Sequence, residues 1–234
     1  MLQGAVLEFV HGYNEQDARK ALTMPGGGVW HVGPGQPTDD SELMLALLHG
    51  LRGQDPFKEF PAQVVASRYK EWYQSPPFDV GNTCANAFSV SDPSKMAAAA
   101  AKFNMAMESN GALMRGGPIA VWCALHGVTD DAIVAAHARA DSRLSHCSQE
   151  SIFKVLMLRG DTDTNACIVG YIMGALRGVA GIPEFMKGPV LAFDCTQPER
   201  GIARLGVYRA AWADTLIAEM WRGESSAQQC QGSN

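Results

Sequence analysis

Apolar residues recur along most of this chain at spacings of three and four, the period of a helix with one buried face. The clearest stripe is Met44, Leu47, Leu48 and Leu51. Thr38 or Asp39 stands ready to cap that helix, Asp39 and Glu42 have capping-box spacing, and Gly50 or Gly53 ends it. Residues 56–74 predict another helix, with Phe60, Val64, Ala66 or Ser67, and Tyr69 or Trp72 towards the core. Asp92-Pro93 opens a third, through an Ala-rich run expected to stop near Ser109-Asn110-Gly111. Further helices are expected from about Pro118 to His126, after Thr129-Asp130-Asp131, over 142–158, from the Asp161 region to Leu176, and over 199–222. In the last of these, Leu205, Tyr208, Trp212, Leu216 and Met220 would face inward. Residues 1–10 read as part of a first helix, whereas 11–37 and 189–198 read as irregular. No stretch alternates with a period of two, and no internal repeat is visible. The expectation is an all-α, single compact multi-helix domain over residues 1–222, followed by a polar tail, 223–234.

Composition supports that picture and narrows the partners. The chain has 234 residues, 47% hydrophobic and 18% charged, enough for one substantial core. A formal charge of -5 and the lack of any Lys/Arg run make a nucleic-acid backbone a poor partner. The start lacks a basic n-region, and no apolar run is long enough to span a bilayer. Six cysteines without CxxC spacing point to reduced thiols and a cytoplasmic setting.

The chemistry concentrates in two acidic motifs, Thr38-Asp39-Asp40 and Asp161-Thr162-Asp163-Thr164, each placed where an irregular stretch gives way to an apolar helix. Helix capping explains either motif alone. A cap needs only one side chain, however, and each motif carries two carboxylates plus hydroxyls. Such oxygen donors suit Mg2+, Mn2+ or Ca2+, and four aspartates meeting without a cation would repel one another. Elsewhere, Glu8 sits in the apolar run AVLEFV, where a carboxylate needs a partner or a task unless it faces solvent. The loop Ser109-Asn110-Gly111-Ala112, with Met114 and Arg115, offers backbone donors and a cation for a phosphate, or simply a helix C-cap. Asn82 and Thr83 are candidates for binding a nucleotide or bracing a turn. His146 is a candidate ribose contact or a packed neutral ring, and Trp30 and His31 are candidate flanks of a substrate.

In their order these segments resemble the ADP-ribosylglycohydrolase family, which includes the bacterial enzyme that reactivates dinitrogenase reductase and the vertebrate ADP-ribosyl-acceptor hydrolases. GAVLEF (4–9) is similar to the end of the family's first motif, PTDDSELMLAL to its first metal motif, and FDVGNTCANAF (78–88) to its DIGNT segment. SNGALMRGGPIA (109–120) resembles the GNGxxMRxxP loop, RLSHCSQ (143–149) the THxH-like segment, and RGDTDTNACIVGYIMGAL (159–176) the second metal motif. Arg159 stands where the family usually has glycine, and Ser145 where it has threonine. The resemblance implies a helical domain with a binuclear Mg2+ or Mn2+ cleft, the ligands being Thr38, Asp39, Asp40, Asp161, Asp163 and Thr164. It implies catalytic roles for Glu8, Asp40 and Asp161, and substrate contacts from Asn82, Asn110, Gly111, Ala112, Met114, Arg115 and His146. The implied activity is metal-dependent hydrolysis of the bond between ADP-ribose and an acceptor, foremost arginine on an ADP-ribosylated protein, or a small conjugate. A monomer is expected. The other reading is a catalytically weak ADP-ribose-binding or structural protein that keeps the fold.

Overall fold

The computed structural model describes residues 6–7, 10, 12–105, 107, 109–146, 164, 167 and 182–222. Regular structure among them is helical: α1 (Glu15–Ala21), α2 (Asp39–Leu51), α3 (Ala62–Gln74), α4 (Asn82–Phe88), α5 (Met96–Phe103), α6 (Gly117–Leu125), α7 (Asp131–Ser142), α8 (Glu184–Ala192) and α9 (Trp212–Arg222). An isolated antiparallel bridge joins Gly27 to Val32. The tail 223–234 and most of 147–181 lie outside the described residues, as does nearly all of the helix expected over 1–10. No described helix is long and apolar enough to cross a membrane.

The fold is built around α2. Its sequence predicts one apolar stripe, yet Leu43, Leu45, Ala46, Leu47, Leu48, Gly50 and Leu51 are all buried, so burial extends well beyond one face, with only Met44 and His49 partly exposed. It packs against α3, α6 and α9. Gly50 lets α3 come close: a Cβ there would lie 2.9 Å from Val65 Cγ2 and 3.1 Å from Val65 Cα. Arg52 caps α2, and the chain turns away through Gly53 at φ +71, a left-handed conformation suited to glycine.

Several element boundaries differ from expectation, each for a local reason. A seven-residue helix, α1, occupies part of the stretch read as irregular; Asn14 and Asp17 form a reciprocal capping box at its start. The α3 helix begins at Ala62 because Pro61 precedes it, and its register buries Val65 while Val64 is 39% exposed. The Ala-rich helix α5 ends at Phe103, short of Ser109. Asn104 leaves the helix, and its Nδ2 donates to Thr83 O (2.7 Å) and Ser145 O (2.8 Å). Residues 189–192 belong to α8, which tolerates Pro189 inside it. The helix expected over 199–222 resolves into short 3-10 turns at 198–200 and 206–208 and then α9. Tyr208, Leu216 and Met220 are buried as expected, but Leu205 and Trp212 are exposed.

Candidate functional site

The first acidic motif forms the mouth of α2. Thr38 occupies the N-cap position, but its side chain makes no capping bond. Its hydroxyl donates instead to Asp40 Oδ2 at 2.9 Å. The expected Asp39–Glu42 capping box does not form, because Asp39 is already helical and Glu42 faces Arg204 and Trp72. Asp39, Asp40 and Glu42 are nonetheless all buried within a single helical turn. A helix N-terminus favours negative charge, by up to about 2 kcal/mol in partly buried settings. That is modest beside the cost of burying several carboxylates. The donor set of hydroxyl and carboxylate oxygens fits a hard divalent cation.

Asp161 and Asp163 lie outside the described residues, as does Glu8. Among the described residues, no three His, Cys, Asp or Glu side chains gather as a metal-holding group. The described part of the expected ligand set is therefore Thr38, Asp39, Asp40 and Thr164. Thr164 and Cys167 are both helical and both buried. Thr164 Oγ1 lies 3.9 Å from Met114 Sδ, and Cys167 Sγ lies 3.9 Å from Met44 Sδ and 3.7 Å from Met114 O. Met44 is one turn along α2 from Asp40, so these two share a helix face. Cys167 is thus in contact with α2 one turn from Asp40.

The substrate-binding candidates divide by exposure. Asn82 is exposed at the start of α4, whereas Asn110 and Ala112 are half-buried in the turn that follows α5. Gly111, Met114, Arg115 and His146 are buried. A Cβ on Gly111 would meet Cys84 Sγ at 2.9 Å and His146 Cε1 at 3.3 Å, so only glycine fits there without rearrangement.

Arg115 is fully buried, and its guanidinium is spent on the protein rather than presented to a ligand. Its Nε donates to Asp141 Oδ2 (3.1 Å), Nη2 to Asp141 O (3.1 Å) and Nη1 to Gly111 O (2.9 Å). Tyr69 donates to the other Asp141 oxygen at 2.6 Å, and the guanidinium lies over the Tyr69 and Phe88 rings. The phosphate contact expected of Arg115 is replaced by a bracing role. Sequence spacing could not show this, because the decisive partner, Asp141, belongs to another helix.

His146 is also enclosed, with Nδ1 2.7 Å from Ser145 Oγ and Nε2 2.8 Å from Ser109 Oγ. Burial, helped by the nearby Arg115 charge, pushes its pKa down to about 3, so the ring is neutral near pH 7. Burial likewise pushes the Cys84 thiol up to about 11; Arg115 opposes the shift, and Asp39 and Asp141 add to it. Segments far apart along the chain, 83–84, 109–111 and 145–146, are neighbours here. Trp30, from the glycine-rich loop, packs at 6.4 Å from Phe78.

Three residues that hold this region together had no sequence signal beyond their chemistry: Asn104, Asp141 and Arg204. Asn104, which ties the 83 and 145 backbones, also accepts from Asn86 Nδ2 at 3.0 Å. A polar residue closing an Ala-rich run was the available hint.

The family model described as ADP-ribosylglycohydrolase matches residues 3–153 and 148–215. A putative ADP-ribosyl glycohydrolase of Acanthamoeba polyphaga mimivirus is 41% identical over 90 residues, which is 38% of this chain and 26% of that protein. The ADP-ribosyl-(dinitrogen reductase) glycohydrolase of Rhodospirillum rubrum is 37% identical over 82 residues, 35% of this chain and 27% of its own length. The similar stretch thus spans about a quarter of each curated relative.

Proposed function

This chain belongs to the ADP-ribosylglycohydrolase family, and we propose that it is a metal-dependent hydrolase releasing ADP-ribose from an acceptor, most readily arginine on an ADP-ribosylated protein. The observation that carries the reading is the α2 mouth, where buried oxygens of Thr38, Asp39 and Asp40 collect without serving as a side-chain cap. Thr38, Asp39, Asp40, Asp161, Asp163 and Thr164 would hold two cations, Mg2+ or Mn2+, which when bound supply Lewis acidity and orient ribose hydroxyls and water.

The protein's own groups do the rest. Glu8 moves a proton between the attacking water and the leaving acceptor nitrogen, as a general acid or base. Asp40 and Asp161 stabilise positive charge that develops at the ribose anomeric carbon. The same aspartates repel a diphosphate, so the ADP portion must be held from the loops. Asn82, which is exposed, and Asn110 and Ala112, which are half-buried, are the contacts proposed for it. Gly111, Met114 and the neutral His146 set the position of that loop from behind. The proposed setting is a monomer acting in the cytoplasm on a modified protein or a small ADP-ribose conjugate.

The deciding experiment supplies arginine- and serine-linked ADP-ribosyl substrates with and without Mg2+ or Mn2+, following released ADP-ribose. Turnover of the arginine linkage is expected, and it should disappear on chelation, in Asp161→Asn and in Glu8→Gln. Turnover that survives chelation and Asp161→Asn rejects the mechanism, and turnover restricted to serine linkages rejects the acceptor.

A further inference from the structure

The α2 mouth is gripped on both sides by one distant stretch of chain. Gln36 stands two residues before Thr38, and Glu42 two residues after Asp40. Both are 1% exposed, and both bind residues 202–204. Gln36 Oε1 accepts from Ile202 N (3.0 Å) and from Gly33 N (2.9 Å), while its Nε2 donates to Ile202 O (2.8 Å). On the far side, Arg204 forms a two-pronged pair with Glu42: Nε to Oε1 and Nη2 to Oε2, each 2.8 Å. The remaining donors of Arg204 hold the chain after α3, at Ser75 O, Pro76 O (2.9 Å) and Ser75 Oγ (3.0 Å). Trp72 completes the Glu42 shell, donating from Nε1 at 2.7 Å.

This arrangement solves two physical problems at the mouth. The loop entering α2 is rich in left-handed residues, including Met24, His31, Gly26, Gly27, Gly28 and Gly35, and so has little structure of its own to fix Thr38. In addition, Glu42 lies one turn below Asp39 on the same helix face, where a loose carboxylate would add charge and a competing oxygen. Arg204 neutralises that carboxylate and engages both of its oxygens. A planar guanidinium can do this and bridge to two carbonyls at once, whereas an ammonium cannot.

We propose that residues 202–204 form a strap that positions the Thr38–Asp40 oxygens for cation binding, with Arg204 as its positioning residue and Gln36 as its second anchor. The inference rests on the reading above that these oxygens take divalent cations. Its test uses the full chain and Mn2+ alone, with free Mn2+ counted from its electron paramagnetic resonance signal. Arg204→Met and Gln36→Leu, shown folded by circular dichroism, should weaken Mn2+ binding by about 10- to 100-fold, the usual effect of losing a group that orients ligands. Arg204→Lys should recover part of the loss. Arg209→Met removes a half-exposed ion pair to Asp194 outside the strap and should leave Mn2+ affinity within about twofold, in keeping with the small energies of surface pairs. A folded Arg204→Met or Gln36→Leu protein that binds Mn2+ as tightly as wild type overturns the proposal. If neither of those variants folds, wild-type affinity in Arg204→Lys overturns it. Wild-type protein that takes up no Mn2+ removes the functional reading and this inference together, a result distinct from the others.

Discussion

Arg115 illustrates how a side chain's chemistry and its role can part company. A guanidinium beside a glycine-containing loop suits a phosphate, yet here it is fully buried and bound to Asp141, itself 1% exposed. Removing the cation strands a buried carboxylate, which costs about 3–5 kcal/mol in comparable sites. Arg115→Met should therefore lose stability on that scale in urea denaturation. Native stability together with weakened ADP-ribose binding would instead return Arg115 to the ligand. His146 makes a pH argument with a definite sign. Its folded pKa is about 3, against an ordinary value of 6.5, so between these the unfolded chain binds the extra proton. Stability then falls as pH drops below about 6.5, by at most about 1.4 kcal/mol per pH unit from this group. His146→Gln should flatten the fall of melting temperature between pH 6.5 and 4.5 relative to wild type. An unchanged slope would mean that other groups carry it.

At the scale of elements, legibility followed the range of the forces that fix each piece. The start of α2 was readable because Thr38, Asp39 and the stripe from Met44 to Leu51 act within a few turns. So were α6, closed by Gly127 at φ +75, and α7, capped by Asp130 through Ala132 N at 2.8 Å. The short α1 was missed because the glycines after it dominated the reading of residues 11–37, although its Asn14–Asp17 capping box is purely local. In α3 the expected Ala66, Tyr69 and Trp72 are buried, but Val65 takes the inward place expected of Val64. Periodicity allows Val64 or Val65 to face inward, and the choice is made by the Gly50 contact on another helix. The end of α5 was set by Asn104 reaching the Thr83 and Ser145 carbonyls, 21 and 41 residues away. The candidate site shows the same division. The acidic motifs were visible as surplus oxygen, whereas the Arg204–Glu42 pair spans 162 residues and has no local mark.

For the whole molecule, the proposed site gathers such distant segments that cation binding there would make binding and folding one equilibrium. Cys167 touches Met44 of α2, Thr164 lies against Met114, and residues 202–204 hold Gln36 and Glu42 on either side of the first motif. An unfolded chain scatters these groups and has little affinity for a cation. Binding to the native state alone raises stability by RT ln(1 + [L]/Kd), about 2.7 kcal/mol at a hundredfold excess over Kd. For a chain of this length that corresponds to a melting temperature higher by roughly 5–10 °C. Saturating Mn2+ or Mg2+ should produce such a rise, and chelation should reverse it. General screening of the acidic surface is the competing cause, so the comparison must be made at equal ionic strength with Na+. Screening grows with salt without saturating, whereas a site saturates. Asp40→Asn separates the two further, since it changes the net charge only from -5 to -4 yet replaces a buried carboxylate at the proposed site. The rise should vanish in that variant. Equal gains in wild type and Asp40→Asn would mean that the cations act on the surface, and the α2 mouth would then be no more than an unusually acidic helix start.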